Sequence, residues 1–136
     1  MIIIDRPPNF EQIKAAFPKA ESPGVLFAFD GAIYNPSGIV VPPALVAHEN
    51  VHLTNQKHVG AEYWWEKYLT DSEFRYCEEL LAHVAEFKMQ RTRDRNFVAR
   101  LMVHTALRLV APLYNYTPPV SLQTAMRDLR REIANV

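Results

Sequence analysis

The chain has 136 residues, enough for one hydrophobic core and too few for two domains of ordinary size. Fifteen basic residues balance fifteen acidic ones, so no net field draws the whole molecule to nucleic acid or to a membrane, and neither is expected as a partner. The single cysteine, Cys77, excludes an internal disulfide, suits a reducing compartment and is expected to be packed and inert.

The opening MIIIDRPPNF has no cationic start and its apolar run stops at Asp5, so no secretory signal is read there. Residues 1–5 suit a short strand, which Pro7 and Pro8 end. Asn9 is placed to cap a short helix with Phe10, Ile13, Ala16 and Phe17 on its apolar face, closed by Pro18. The runs VLFAFD (25–30), AIYN (32–35) and GIVV (38–41) are separated by DG and NPSG, turn signals that predict a small antiparallel meander.

After Pro42 and Pro43 the character changes. Proline is tolerated in a first helical turn, and no breaker follows until Gly60, so one helix is expected across this stretch. AEYWWEKYL forms a second. Asp71 or Ser72 caps a third that runs to about Arg91, with Glu73 in its first turn. A fourth spans Asp94 to about Val110. Its segment NFVARLMVHTALRLVAPLY is interrupted by Arg100, His104 and Arg108 and reads as a core helix, not a membrane span. Pro112, Pro118 and Pro119 make the next segment irregular. A last amphipathic helix carries Leu122, Ala125, Met126, Leu129 and Ile133. The expectation is a single α+β domain over 1–136: a small antiparallel or mixed sheet in the N-terminal third, then helices. The expected location is the cytoplasm of the producing cell.

The informative stretch is His48-Glu49-Asn50-Val51-His52. Residues four apart share a helix face, so His48 and His52 can present two imidazole nitrogens to one point. Zinc accepts such a pair together with a third protein ligand and a water. Glu49 projects about 100° round the axis from His48, beside such an ion rather than on it, where a carboxylate can take a proton from water. Leu45, Val46, Val51 and Leu53 are expected to bury the helix and leave the histidine face lining a cleft. The competing reading is a chance spacing, or a site that no longer binds metal.

HENVH resembles the signature of the zincin metallopeptidases. The order VVPPALVAHENVHLTNQ, YWWEKYL, FRYCEELLAHVAEF is similar to minimal gluzincin-like proteins and to short metallopeptidases encoded by phages and prophages, over residues 25–90. The resemblance implies one zinc ion held by His48, His52 and a glutamate from a later helix, with Glu49 as general base and a peptide or protein as substrate. In that family the third ligand stands in E-x-x-A. The match here is Glu79-Leu80-Leu81-Ala82, which makes Glu79 the expected ligand, with Glu78 and Glu86 next. Ala82 shares its face, and its small side chain would let two helices approach. The residue after the alanine is often an aspartate that supports a histidine ligand. Here it is His83, so either His83 or another carboxylate takes that role. His58, six residues past His52, is a rival ligand on the metzincin pattern, but the glycine that pattern needs at position 55 is Asn55.

Glu78, Glu79 and His83 also have a plain reading as solvated residues, with Phe74, Cys77, Leu81, Val84 and Phe87 or Lys88 forming the buried stripe. A second electrophile beside the metal could come from Tyr34, Tyr63, His83, His104, Tyr114 or Tyr116. Trp64 and Trp65 are expected to anchor the second helix on the first, and Arg75 to form an ion pair or fix a carboxylate. VLFAFD or AIYN would offer an edge strand to an extended substrate. The expected function is that of a zinc metallopeptidase. The rival is a zincin-like structural or assembly protein with little or no turnover, such as a virion component, which would make the chain virion-associated and give it a protein partner.

Overall fold

A computed structural model describes residues 1–134. Three short strands form one sheet in the order β1–β3–β2: β1 is Ile2–Ile3, β2 Phe27–Phe29 and β3 Ala32–Tyr34. The Asp-Gly signal makes the hairpin it predicts. Asp30 and Gly31 both have positive φ (45° and 85°), the conformation of a two-residue turn between paired strands, and Phe29 faces Ala32 across it. The N-terminal strand is shorter than the apolar run suggests, and it pairs parallel to β3, with Ile2 opposite Ile33 and Ile3 opposite Tyr34. The sheet is therefore mixed rather than an antiparallel meander. Residues 38–41 form no strand. The Asn35 side chain accepts from the Ile39 N–H (3.3 Å) and donates to its carbonyl (2.8 Å), and Val40 is exposed to solvent, so this segment folds on itself.

The described residues also form six α-helices: α1 (Phe10–Ala16), α2 (Pro43–Val59), α3 (Ala61–Thr70), α4 (Ser72–Gln90), α5 (Arg95–Leu109) and α6 (Leu122–Ala134). Their ends follow local chemistry. Pro43 starts α2, and Gly60, at φ 94°, ends it. The Asp71 carboxylate accepts from the Phe74 N–H at the start of α4, and Asp94 accepts from the amides of Asn96 and Phe97 at the start of α5. Asn9 occupies the cap position of α1 but makes no side-chain cap hydrogen bond. Between α5 and α6, Pro112–Tyr114 form a single 3-10 turn. The stretch Arg95–Tyr114 is long and apolar enough to cross a membrane by composition, but α5 itself stops at Leu109.

The apolar core is divided. One cluster joins Phe10, Ile13 and Phe17 to Phe27 and to Trp64, Trp65 and Tyr68 of α3. The other joins Leu80 and Val84 of α4 to Ala106 and Leu109 of α5 and to Ala125 and Leu129 of α6. Between them α2 packs on α4 through a polar seam. The buried residues of α2 are Ala44, His48, Glu49, His52 and Gln56, whereas Leu45, Val46, Val51 and Leu53 are only half-buried. The apolar residues expected to bury this helix are thus not its innermost ones: the histidine face packs against α4 and also lines a cavity. On α4, Arg75, Glu78, Glu79, Ala82, His83 and Glu86 are buried, while Cys77 and Leu81 are exposed. The solvated-acid reading of this helix is overturned, as is a packed Cys77.

Candidate metal centre

Helical periodicity on two neighbouring elements builds the centre. His48 and His52, one turn apart on α2, hold their rings 5.0 Å apart, nearly perpendicular. Glu79 of α4 reaches between them, with Oε1 3.1 Å from His48 Nε2 and Oε2 3.1 Å from His52 Nε2. Ala82, fully buried in the seam on the same side of α4, leaves room for this approach. Two zinc bonds of about 2.05 Å at the tetrahedral angle would place donor atoms roughly 3.3 Å apart, close to these separations. His52 Nε2 and Glu79 Oε1 are buried and make no well-aligned hydrogen bond among the described residues, although each has an opposite partner at 3.1 Å. A bound cation would give such buried atoms a better-directed partner. His48, His52 and Glu79 therefore form a buried group that could hold a metal ion.

A supporting layer lies behind each histidine. Glu86 Oε1 is 2.6 Å from His48 Nδ1, and Glu86 is in turn bound by the Arg108 guanidinium. Glu78 Oε1 lies 3.5 Å from His52 Nδ1, and this carboxylate also accepts from Asn55 (2.9 and 3.1 Å) and from the Trp64 indole (2.8 Å). The Tyr68 hydroxyl donates to Glu79 Oε2 at 2.7 Å. Glu86, rather than His83, thus takes the position behind His48 that the aspartate would have filled. Glu78 and Glu86, the alternatives to Glu79, stand behind the histidines. His58 is exposed near the end of α2, away from this group. A second possible metal-holding group, His48, His83 and Glu86, shares one histidine with the first. His83 is completely buried and does not line the cavity described next, so the first group is the accessible one.

Charge and burial compete at every member. Burial alone would lower the two imidazoles, yet Glu79 and Glu86 raise His48 to about 10, and Glu79 with Glu78 raises His52 to about 9. Burial would raise Glu79 and Glu86, but the facing histidines hold both well below the usual carboxylate range. Glu49, also buried, keeps a raised pKa because desolvation outweighs the attraction of His48 and His52. Burial lowers His83 and, with Glu79 nearby, pushes the hydroxyls of Tyr68 and Tyr114 well up, so both tyrosines remain donors.

A cavity of about 220 Å³ opens onto His48, Glu49, His52 and Glu79. Its walls come from α1, from the segment leading into β2, and from Leu113 and Tyr114 of the 3-10 turn. Tyr114 has its hydroxyl 3.1 Å from His83 Nε2. Arg75 fixes that turn: it donates to the carbonyls of Tyr114 (2.8 Å) and Asn115 (3.1 Å) and to that of Tyr68 (2.6 Å), so it binds backbone rather than the expected carboxylate. Of the other candidate electrophiles, Tyr116 donates to the Leu109 carbonyl, Tyr63 and His104 are exposed, and Tyr34 packs beside the first core. Trp64 and Trp65 are core residues, as expected, with the Trp64 ring 5.2 Å from His52. AIYN is the central strand, which leaves β2 as the edge beside the cavity.

Four contributors are not evident from the sequence pattern: Asn55, Gln56, Tyr68 and Arg108. Gln56, two turns beyond His48, donates to the Ala28 carbonyl (2.8 Å) and accepts from the Asp30 N–H (2.9 Å), which ties α2 to β2 and the turn after it. The i+4 recurrence of Ala44, His48, His52 and Gln56 was the available signal. No protein-family model, curated protein or solved structure matches this chain.

Proposed function

We propose that the chain is a zinc-dependent metallopeptidase, with His48, His52 and Glu79 as ligands and Glu49 as general base. The observation that carries this reading is the convergence of two imidazole Nε2 atoms and both Glu79 oxygens at 3.1 Å on the floor of a cavity that Glu49 also lines. When bound, the zinc ion supplies a Lewis acid and brings the acidity of a water molecule near neutral pH.

The chain's own residues divide the remaining work. Glu78 and Glu86 orient the imidazoles so that their Nε2 lone pairs face the centre, and Tyr68 fixes the Glu79 carboxylate. Glu49 takes the proton of the attacking water and passes it to the leaving amine; its raised pKa brings it towards the range this exchange needs. Tyr114, kept protonated, donates to the carbonyl oxygen as negative charge develops there. The substrate lies extended along the segment that leads into β2. Gln56 and Trp65 both donate to the Ala28 carbonyl, so a peptide pairs with the part of the edge that precedes it.

The test combines metal analysis with hydrolysis of a peptide library. Wild type is expected to carry one zinc per chain and to cleave. Glu49→Gln is expected to keep the zinc and lose cleavage. Zinc binding without cleavage by wild type would favour an assembly role, and absence of metal from a folded protein would refute the centre itself.

A further inference from the structure

The even overall charge conceals a division along the chain. Residues 1–87 hold six basic and twelve acidic side chains, whereas residues 88–136 hold nine basic and three acidic. Beyond Lys88 every basic residue is arginine, eight in all. Arg108 is engaged by Glu86, and Arg127 and Arg131 by Asp128. Arg91, Arg93, Arg95, Arg100 and Arg130 are exposed and have no ion-pair partner among the described residues.

Three of these free arginines rim a groove of about 600 Å³ between the start of α5 and the middle of α6. Arg93 and Arg95 stand on one side and Arg130 on the other, and Val98, Met102 and Met126 form an apolar floor. The apolar surface continues along α5, where Val103 is 42% and Leu107 51% exposed. Isolated exposed apolar residues need no explanation, but a contiguous apolar trough bordered by unpaired cations does.

We infer that this groove docks an acidic amphipathic segment of a partner protein. Guanidinium groups bind carboxylates in a two-pronged manner, and the eight arginines unaccompanied by lysine suit that geometry. A phosphate backbone would use the arginines but has nothing to place on the apolar floor. A bilayer would use both, but it meets protruding apolar side chains and not a trough. A helix with an apolar stripe and flanking glutamates satisfies floor and rim together. The groove shares no lining residue with the cavity at the metal centre, so a docked segment leaves that cavity open. The inference stands independently of any catalytic activity.

Fluorescence anisotropy on the full chain tests it, with a labelled synthetic helix bearing leucine on one face and glutamate on the other. That probe is expected to bind, more weakly as salt is raised, and the same helix with lysine for glutamate is not. Combined Arg93→Glu, Arg95→Glu and Arg130→Glu should weaken binding by about tenfold or more, and so should Val103→Asp on the groove wall. All four positions are exposed, so unchanged circular dichroism and melting temperature should certify the fold. Failure of the acidic helix to bind overturns the inference, as does binding that either variant leaves intact. Equal or tighter binding of a single-stranded oligonucleotide or of phosphatidylglycerol vesicles also overturns it, and would reassign the surface to nucleic acid or to membrane.

Discussion

Zinc loading should expel about two protons at neutral pH, because the metal-free centre stores them on His48 and His52. Their pKa values, about 10 and about 9, mean that at pH 7 both imidazoles are almost fully protonated. A ligand nitrogen must be neutral, so each proton leaves as the ion enters. Two histidines of ordinary pKa would together release only about half a proton at that pH. The sign follows from the raised values: protonation competes with metal most strongly at low pH. Apparent affinity should therefore climb about a hundredfold per pH unit from 7 towards 9, about tenfold between 9 and 10, and then level off. Calorimetric titration in buffers of different ionisation enthalpy counts the protons directly. The same titration on Glu49→Gln separates any proton that Glu49 surrenders. A release near half a proton at pH 7 would show that Glu79 and Glu86 do not hold the imidazolium forms, and the geometry of the seam would need revision.

Other perturbations separate positioning from chemistry. Glu86→Gln weakens the support behind His48 and should lower zinc affinity by about 10- to 100-fold in a competition with a chelating dye. Tyr114→Phe should leave zinc content and KM nearly unchanged and cut kcat by about a hundredfold, the loss expected for one donor to a developing oxyanion. Gln56→Leu removes the bridge from α2 to Ala28 and Asp30. Because Trp65 still serves the Ala28 carbonyl and Asp30 is exposed to water, the cost is chiefly that of one ordinary hydrogen bond, roughly 0.5–1.5 kcal/mol in urea denaturation.

Features set by neighbouring residues were legible in the sequence. Pro43 and Gly60 bound α2, Asp71 and Asp94 cap their helices, and Asp30-Gly31 closes a hairpin, all because the responsible groups lie within a few positions of one another. The pairing of β1 with β3 spans about thirty residues and has no local signature, so the strand order was not readable. Burial on α4 was ambiguous for a different reason. Periodicity assumes apolar residues inside, yet Glu78, Glu79 and Glu86 meet His48 and His52 across the seam, and Cys77 and Leu81 face solvent. The E-x-x-A match drew attention to Glu79 where hydrophobic patterning alone would have left it outside. Total charge was equally uninformative about α5 and α6, since a sum of zero cannot reveal where the arginines gather.

The side-chain amide of Gln56 occupies β2 much as an adjoining strand would, receiving one backbone hydrogen and giving one of its own two residues apart. An uncovered strand margin is a template on which other molecules can stack into insoluble material. The glutamine that covers this margin rides on the same helix as His48 and His52, so whatever keeps that helix seated also keeps the margin covered. Uncovering it with Gln56→Leu should therefore reveal itself first as turbidity, well before the helices melt.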